Sequence, residues 1–355
     1  MNFKKTTIAL AAASVLSIGF ASSVNAGVLA TSIIEIENLT FTDAQGNALD
    51  FDTDFTLPPA YTTTADSTAA LGAIVDASGS LVGPNIDDQV RCVGTCAAIV
   101  DNVFPVVTSP PVATYAAADQ LEFGAPVLNA PDGSGGVLAL GATVSSATYV
   151  SLAGGDIDGS STGNNQMGSS FRFNLAGSGA VTMSFDAQSY LEAFISADEF
   201  APANATADYS VYFRITDLTA GGVTVFDWNP NGTIAPSSTD VGVNNEVDAF
   251  SLNDNLALNA PFGGFGMDVG LQRTGLGDAG CLAALAGSDI GKNCGAFSAT
   301  TNALTAGTLY QLDARIESNA DARTVIPEPA SIALMGLGLL GLAGGAASRR
   351  RRKTA

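Results

Sequence analysis

Apolar and polar residues alternate through much of the middle of the chain. The pattern runs Phe171, Phe173, Leu175 in SSFRFNL, Val181, Met183, Phe185 in GAVTMSFDA, and Tyr209, Val211, Phe213, Ile215 in DYSVYFRIT. A period of two places every second side chain on one face and predicts half-buried strands. The break DLTAGG then leads to VTVFDW, two apolar runs split by a glycine-containing turn, which predicts a hairpin. TLYQLDARI adds Tyr310, Leu312, Ala314 and Ile316. Near the start, SIIEIENLTF places Ile34 and Ile36 on one face, then Leu39 and Phe41 after a change of phase. Strands separated by Gly, Asn, Asp and Ser, with no convincing amphipathic helix, predict an all-β, antiparallel β-sandwich or jelly-roll-like body.

Several stretches interrupt the pattern. Ala113–Ala118 and Cys281–Leu285 read as short helices, and 154–170 (GGDIDGSSTGNNQMGSS) as a turn-rich loop. Phe104–Pro111 holds three prolines. Either of the last two would divide an N-terminal portion from the regular part beginning near Phe171. One continuous sandwich over 27–325 is the preferred reading, because a strand over 32–41 would otherwise lack partners; a subdivision near 154–170 is the alternative.

The two ends follow other rules. Residues 1–26 have Lys4 and Lys5, then an apolar stretch from Ile8 to Phe20, then Val24-Asn25-Ala26. That is the design of a secretory signal helix, with cleavage between Ala26 and Gly27. Residues 330–348 hold no charged side chain, and Arg349, Arg350, Arg351, Arg352 and Lys353 follow. As a helix the apolar run spans about 28 Å, near the thickness of a bilayer's hydrocarbon core. The arginines belong on the cytoplasmic side. A single C-terminal transmembrane helix, with the body outside, is expected.

Composition narrows the chemistry. The chain of 355 residues contains no His, so Ser-His-Asp and Cys-His catalysis and His-ligated zinc are excluded. Between Gly27 and Pro329 lie 34 acidic and seven basic residues, a net charge of −27. Such a body repels nucleic acid and attracts divalent cations.

Pro327, Glu328 and Pro329, the Gly-rich span 330–348 and Arg349 to Arg352 occur in that order at the terminus. This arrangement resembles the PEP-CTERM sorting signal of Gram-negative bacteria. The resemblance implies an exported protein that passes the secretion translocon and signal peptidase. It also implies a transient inner-membrane anchor, and an exosortase that cuts near the Pro-Glu-Pro and passes the body to the cell surface or exterior. The prolines keep that segment out of helix and open to a protease. VTMSFDAQSYLEAFISADE, FRITDLTAGGVTVFDWNPNGT and LTAGTLYQLDARIESNADA are similar in pattern to the bodies of exported proteins carrying this signal. Proteins of this kind are linked to exopolysaccharide and biofilm, which implies a non-enzymatic surface or matrix role with polysaccharide as a partner. The alternatives are a secreted carbohydrate-active enzyme using paired carboxylates and a membrane-anchored adhesin that is never cut.

The remaining candidates are side-chain clusters. Cys92, Cys96, Cys281 and Cys294 allow three pairings, and the close spacings favour Cys92–Cys96 and Cys281–Cys294 in an oxidising compartment. No cofactor is required. Hard-oxygen ligands of the kind Ca²⁺ takes stand at Asp156, Asp158, Ser160 and Asn164, and at Asp50, Asp52 and Asp54, and metal binding by Cys92 and Cys96 is the alternative to their disulfide. Asp198, Glu199 and Asp227 stand beside aromatics, as sugar-cleft acids would. Asn204 and Asn231 begin glycosylation sequons, read as chance in a bacterial chain.

Overall fold

The computed structural model describes residues 27–49, 54, 60–82, 86–97, 99–107, 113–123, 143–153, 159–196, 203–233, 235–238, 240–260, 271–274 and 293–324. The first strands are β1 (Gly27–Thr42), β2 (Ala60–Leu71), β3 (Ile74–Ala77), β4 (Leu81–Val82), β5 (Asp87–Gly94), β6 (Tyr115–Phe123), β7 (Thr143–Ala153) and β8 (Gly159–Phe173). The later ones are β9 (Thr182–Ile195), β10 (Ala203–Asp217), β11 (Val223–Trp228), β12 (Val243–Asp248), β13 (Asn253–Ala260), β14 (Leu271–Thr274), β15 (Asn293–Thr301) and β16 (Tyr310–Thr324). No helix occurs among the described residues, and none of them forms an apolar helix long enough to cross a membrane. The expected signal helix and transmembrane helix lie outside them.

Every strand pairing among the described residues is antiparallel. The first sheet runs β12-β15-β9-β1-β7-β6-β5, with β14 also on β9. The second runs β11-β10-β16-β8-β2-β3, with β13 also on β10 and β4 on β2. The sheets pack face to face, and strands from both halves of the chain share each of them. β1 lies between β7 and β9, so the early strand has partners from the middle of the chain.

The alternation read from the sequence is what fills the space between the sheets. Phe185, Phe213, Trp228 and Phe297 form an aromatic cluster with centroids 5.2–5.5 Å apart. In β10 and β16 buried and half-exposed positions alternate almost without exception. In β1 the phase change is a bulge between Glu37 and Thr40, where Asn38 takes φ 57°. One added residue returns Leu39 and Phe41 to the core.

Two segments differ from expectation. The stretch 159–170, read as a loop, is the greater part of β8, a central strand paired with β16 on one side and β2 on the other. Ala116, Ala117 and Ala118, read as helical, belong to β6 and are fully buried. They are buried on both faces because residues 99–107, between β5 and β6, fold over the outer face of the first sheet, where Ile99 and Phe104 pack on Ile33, Ala147, Tyr149 and Tyr190. Small side chains let that cover lie close. Cys281–Leu285 falls outside the described residues.

The core also carries a polar row. Gln120, Ser146, Ile34 and Ser189 are laterally paired neighbours across the first sheet. Ser67, Asn165, Ser318 and Tyr209 are neighbours across the second. Hydrogen bonds join the rows: Gln120 Nε2 to Ser67 Oγ at 2.9 Å, Ser146 Oγ with Ser318 Oγ at 2.8 Å, and Ser189 Oγ with Tyr209 OH at 2.9 Å. Asn165 Nδ2 donates to the carbonyls of Asp119 and Ala147, both at 2.8 Å. Such a belt lowers hydrophobic gain locally but fixes the register of one sheet on the other, since a shift leaves buried groups unpaired.

Candidate functional site

The outer faces of the two sheets differ. The first is covered over β6, β7, β1 and part of β9 by the segment just described, while Thr182, Ser184 and Asp186 of β9 stay part-exposed. Positions facing outward from the second form a continuous polar surface. Reading laterally, Thr68, Asn164, Asn319, Asp208 and Asn255 make one row. Asp66, Gln166, Glu317 and Ser210 make the next, and Thr64, Gly168, Arg315 and Tyr212 the one after. Further along lie Thr62, Ser170, Asp313, Arg214 and Asp227. Side chains on such a face repeat at about 4.8 Å across strands and about 7 Å along them.

These groups hold one another in place. Arg214 Nη2 meets Asp227 Oδ2 at 2.9 Å, and its guanidinium lies 5.6 Å from the centroid of the Tyr212 ring. Arg315 pairs with Glu317, and Arg323 Nε with Asp321 Oδ1 at 2.9 Å. Arg172 Nε donates to Gln311 Oε1 at 3.0 Å, and Asn319 Nδ2 to Asp208 Oδ1 at 2.8 Å. Burial pushes the Asp208 carboxyl upward against that hydrogen bond, with Glu317 adding to the rise. Arg172, Arg214, Arg315 and Arg323 are four of the seven basic residues of a body carrying 34 acids, so the face is far closer to neutral than the molecule. It presents amides, hydroxyls, guanidinium groups and one aromatic ring flanked by arginines, a donor and acceptor lattice suited to a polyhydroxyl polymer.

The sequence candidates are dispersed. Asn164 is exposed in β8 on this face and Ser160 is the second residue of the same strand, while Asp156 and Asp158 lie outside the described residues. A strand does not wrap Ser160 and Asn164 around one ion as the expected loop would. Among the described residues no group of three or more acidic or Cys side chains is placed to hold a metal. Asp50 and Asp52 lie outside the described residues. Asp54 lines a cleft of about 200 Å³ with Asp43, Leu49, Leu175 and Val181. There Asp43 is occupied by its own turn: the Asn47 side chain and backbone, then the Gln45 and Gly46 amides, lower its pKa. Asp227 is the partner of Arg214, and Asp198 and Glu199 lie outside the described residues. Cys92 and Cys96 form a disulfide with Cα atoms 6.2 Å apart. Cys294 is disulfide-bonded as well, and Cys281 lies outside the described residues. The sequons at Asn204 and Asn231 begin in β10 and in a turn held by Asp248.

Buried carboxylates carry no local signal in the sequence. Asp248 accepts from Trp228 Nε1 at 3.3 Å and from the Asn231 amide at 2.7 Å, and burial raises its pKa to about 6. Glu246, two residues away on the same side of β12, accepts from Thr233 Oγ1 at 3.0 Å. Both hold the loop after β11 in place. Asp119 accepts the Asn102 amide at 2.9 Å beneath the segment covering the first sheet.

β16 ends at Thr324, and the processing residues Pro327, Glu328, Pro329 and Arg349 to Arg352 follow outside the described residues. Residues 325–352 match the family model of the PEP-CTERM protein-sorting motif. The motif implies an exported protein that passes through the membrane to the cell surface and is processed by exosortase, a membrane enzyme. The match begins at the residue after Thr324, the last described residue of β16. No curated protein matches the chain. Among solved structures, the crystal structure of the infectious bursal disease virus VP2 subviral particle aligns at 6% identity over 88% of this chain and 87% of that one. Its TM-score of 0.09 carries no argument about the fold.

Proposed function

We propose that the chain is a non-enzymatic surface or matrix protein of a Gram-negative bacterium, delivered through its C-terminal signal, and that the outer face of the second sheet holds exopolysaccharide. The observation that carries the first part is the sorting motif at 325–352. Support for the second part comes from the near-neutral polar lattice around Tyr212, Arg214, Arg315 and Asn319 on a strongly acidic body. A neutral or weakly acidic polymer meets little repulsion there and finds fixed hydrogen-bonding groups. The signal peptide at 1–26, cleaved before Gly27, and a transient anchor over 330–348 complete the route. No Ca²⁺ is required for this role.

The test is affinity electrophoresis of the body, 27–326, in gels cast with exopolysaccharide from the producing cells. Retardation that is lost in Tyr212→Ala and Asn319→Ala supports this reading. Unretarded migration of the parent body overturns polysaccharide binding. Release of new reducing ends from the same polymer would establish the carbohydrate-active enzyme instead. A surface form of intact mass still carrying Arg349 to Arg352 would establish the uncut adhesin.

A further inference from the structure

β1 begins at Gly27, paired with Ala153 at the end of β7, and Val28 pairs with Ile195 at the end of β9. β16 ends at Thr324, paired with Gly159 at the start of β8 and with Ala203 at the start of β10. β7 connects to β8, and β9 to β10, through short links at those same strand ends. The first described residue after the signal segment and the last one before the sorting motif therefore leave the sandwich from one end. Both sit on central strands of their sheets. The opposite end holds the turns after β1, β8 and β10 and the cleft beside Asp54.

From the juxtaposition of Gly27 and Thr324 at one end of the sandwich, we propose that the body stands on the outer surface of the bilayer with that end down until its tail is cut. This rests on the sorting reading above. From Thr324 to Ala330, where the uncharged run begins, is six residue steps, which reach at most about 20 Å. The strand end cannot lengthen this tether cheaply. Ala320, Ala322 and Thr324 are buried, and β16 is bonded along its length to both β8 and β10. Peeling it would break two ladders and expose core surface. The β2–β3 hairpin reaches the same end, since Leu71 pairs with Ser161. Ile74 and Val75 on it are 65% and 60% exposed, which suits contact with a headgroup layer.

The experiment uses the full chain in cells lacking the processing enzyme, with Ala73→Cys on the β2–β3 turn or Ala220→Cys on the β10–β11 turn at the far end. Spheroplasts are treated with a polymer-linked maleimide, and labelling is read above the background of the parent chain. Ala73→Cys should label several-fold more slowly than Ala220→Cys in the membrane. The rates should become equal in detergent, and also when a long Gly/Ser insertion follows Thr324. Equal rates in the uninserted, membrane-held chain overturn this inference and leave the sorting reading standing. Extraction of the chain by alkaline carbonate overturns both.

Discussion

Ser146 on β7 and Ser318 on β16 meet hydroxyl to hydroxyl at 2.8 Å in the interior, 172 residues apart in sequence. Each sits in a row of side chains facing the other sheet, polar throughout except for Ile34 beside Ser146. Ser146→Ala or Ser318→Ala alone leaves one buried hydroxyl without this partner and should cost about 1–2 kcal/mol. The double variant should cost clearly less than the sum of the singles, as urea unfolding in a double-mutant cycle would show. Strict additivity would mean that the pair does not couple the sheets.

Gly163 on β8 permits close approach of the sheets. A Cβ there would stand 3.0 Å from Thr148 Cβ and 3.1 Å from the Ala117 carbonyl, both in the first sheet. Gly163→Val should destabilise by roughly 1–3 kcal/mol through overpacking. Gly168→Ala on the same strand meets Thr64 Oγ1 at an ordinary 3.5 Å and should leave thermal stability unchanged or slightly raised.

Stability should fall as pH rises from about 4 to about 7. Burial raises Asp119 to about 7, with Asp101, Asp87 and Asp88 adding to the rise against the Asn102 amide, and burial raises Asp248 to about 6. Unfolded, both titrate near 3.9. Between those values the native state holds protons that the unfolded state has released, so raising the pH favours unfolding. The contribution is whole below pH 4 and lost by about pH 7 to 8. Asp119→Asn keeps an acceptor for the Asn102 amide and should flatten this dependence while raising the denaturation midpoint at pH 8. A variant as pH-sensitive as the parent would show that Asp119 ionises freely.

Much of this architecture is legible in the order of the amino acids. The period of two in β9, β10 and β16 identifies strands and their inner faces, and the phase change in β1 corresponds to a real bulge at Asn38. β8 is not legible in this way. Gly, Ser and Asn dominate residues 159–170 and have low strand propensity. Pairing on both sides holds them extended, while their small polar side chains serve the buried belt on one face and the open lattice on the other. Ala116 to Ala118 mislead for a related reason, since small residues buried on both faces resemble a helix in composition. The outer lattice around Tyr212 needs strand register to assemble, because its members come from positions 62 to 323. The sorting tail is local and ordered along the chain, so sequence alone suffices for it.

The tail beginning after Thr324 is proposed to direct a finished sandwich out of the cell. Ending the chain after Ile326 and fractionating the cells tests it most directly, with circular dichroism of the purified body confirming that the strands remain. The truncated protein should fold, cross the inner membrane and accumulate in the periplasm without reaching the surface. Its arrival at the surface at the parent's level would contradict the claim.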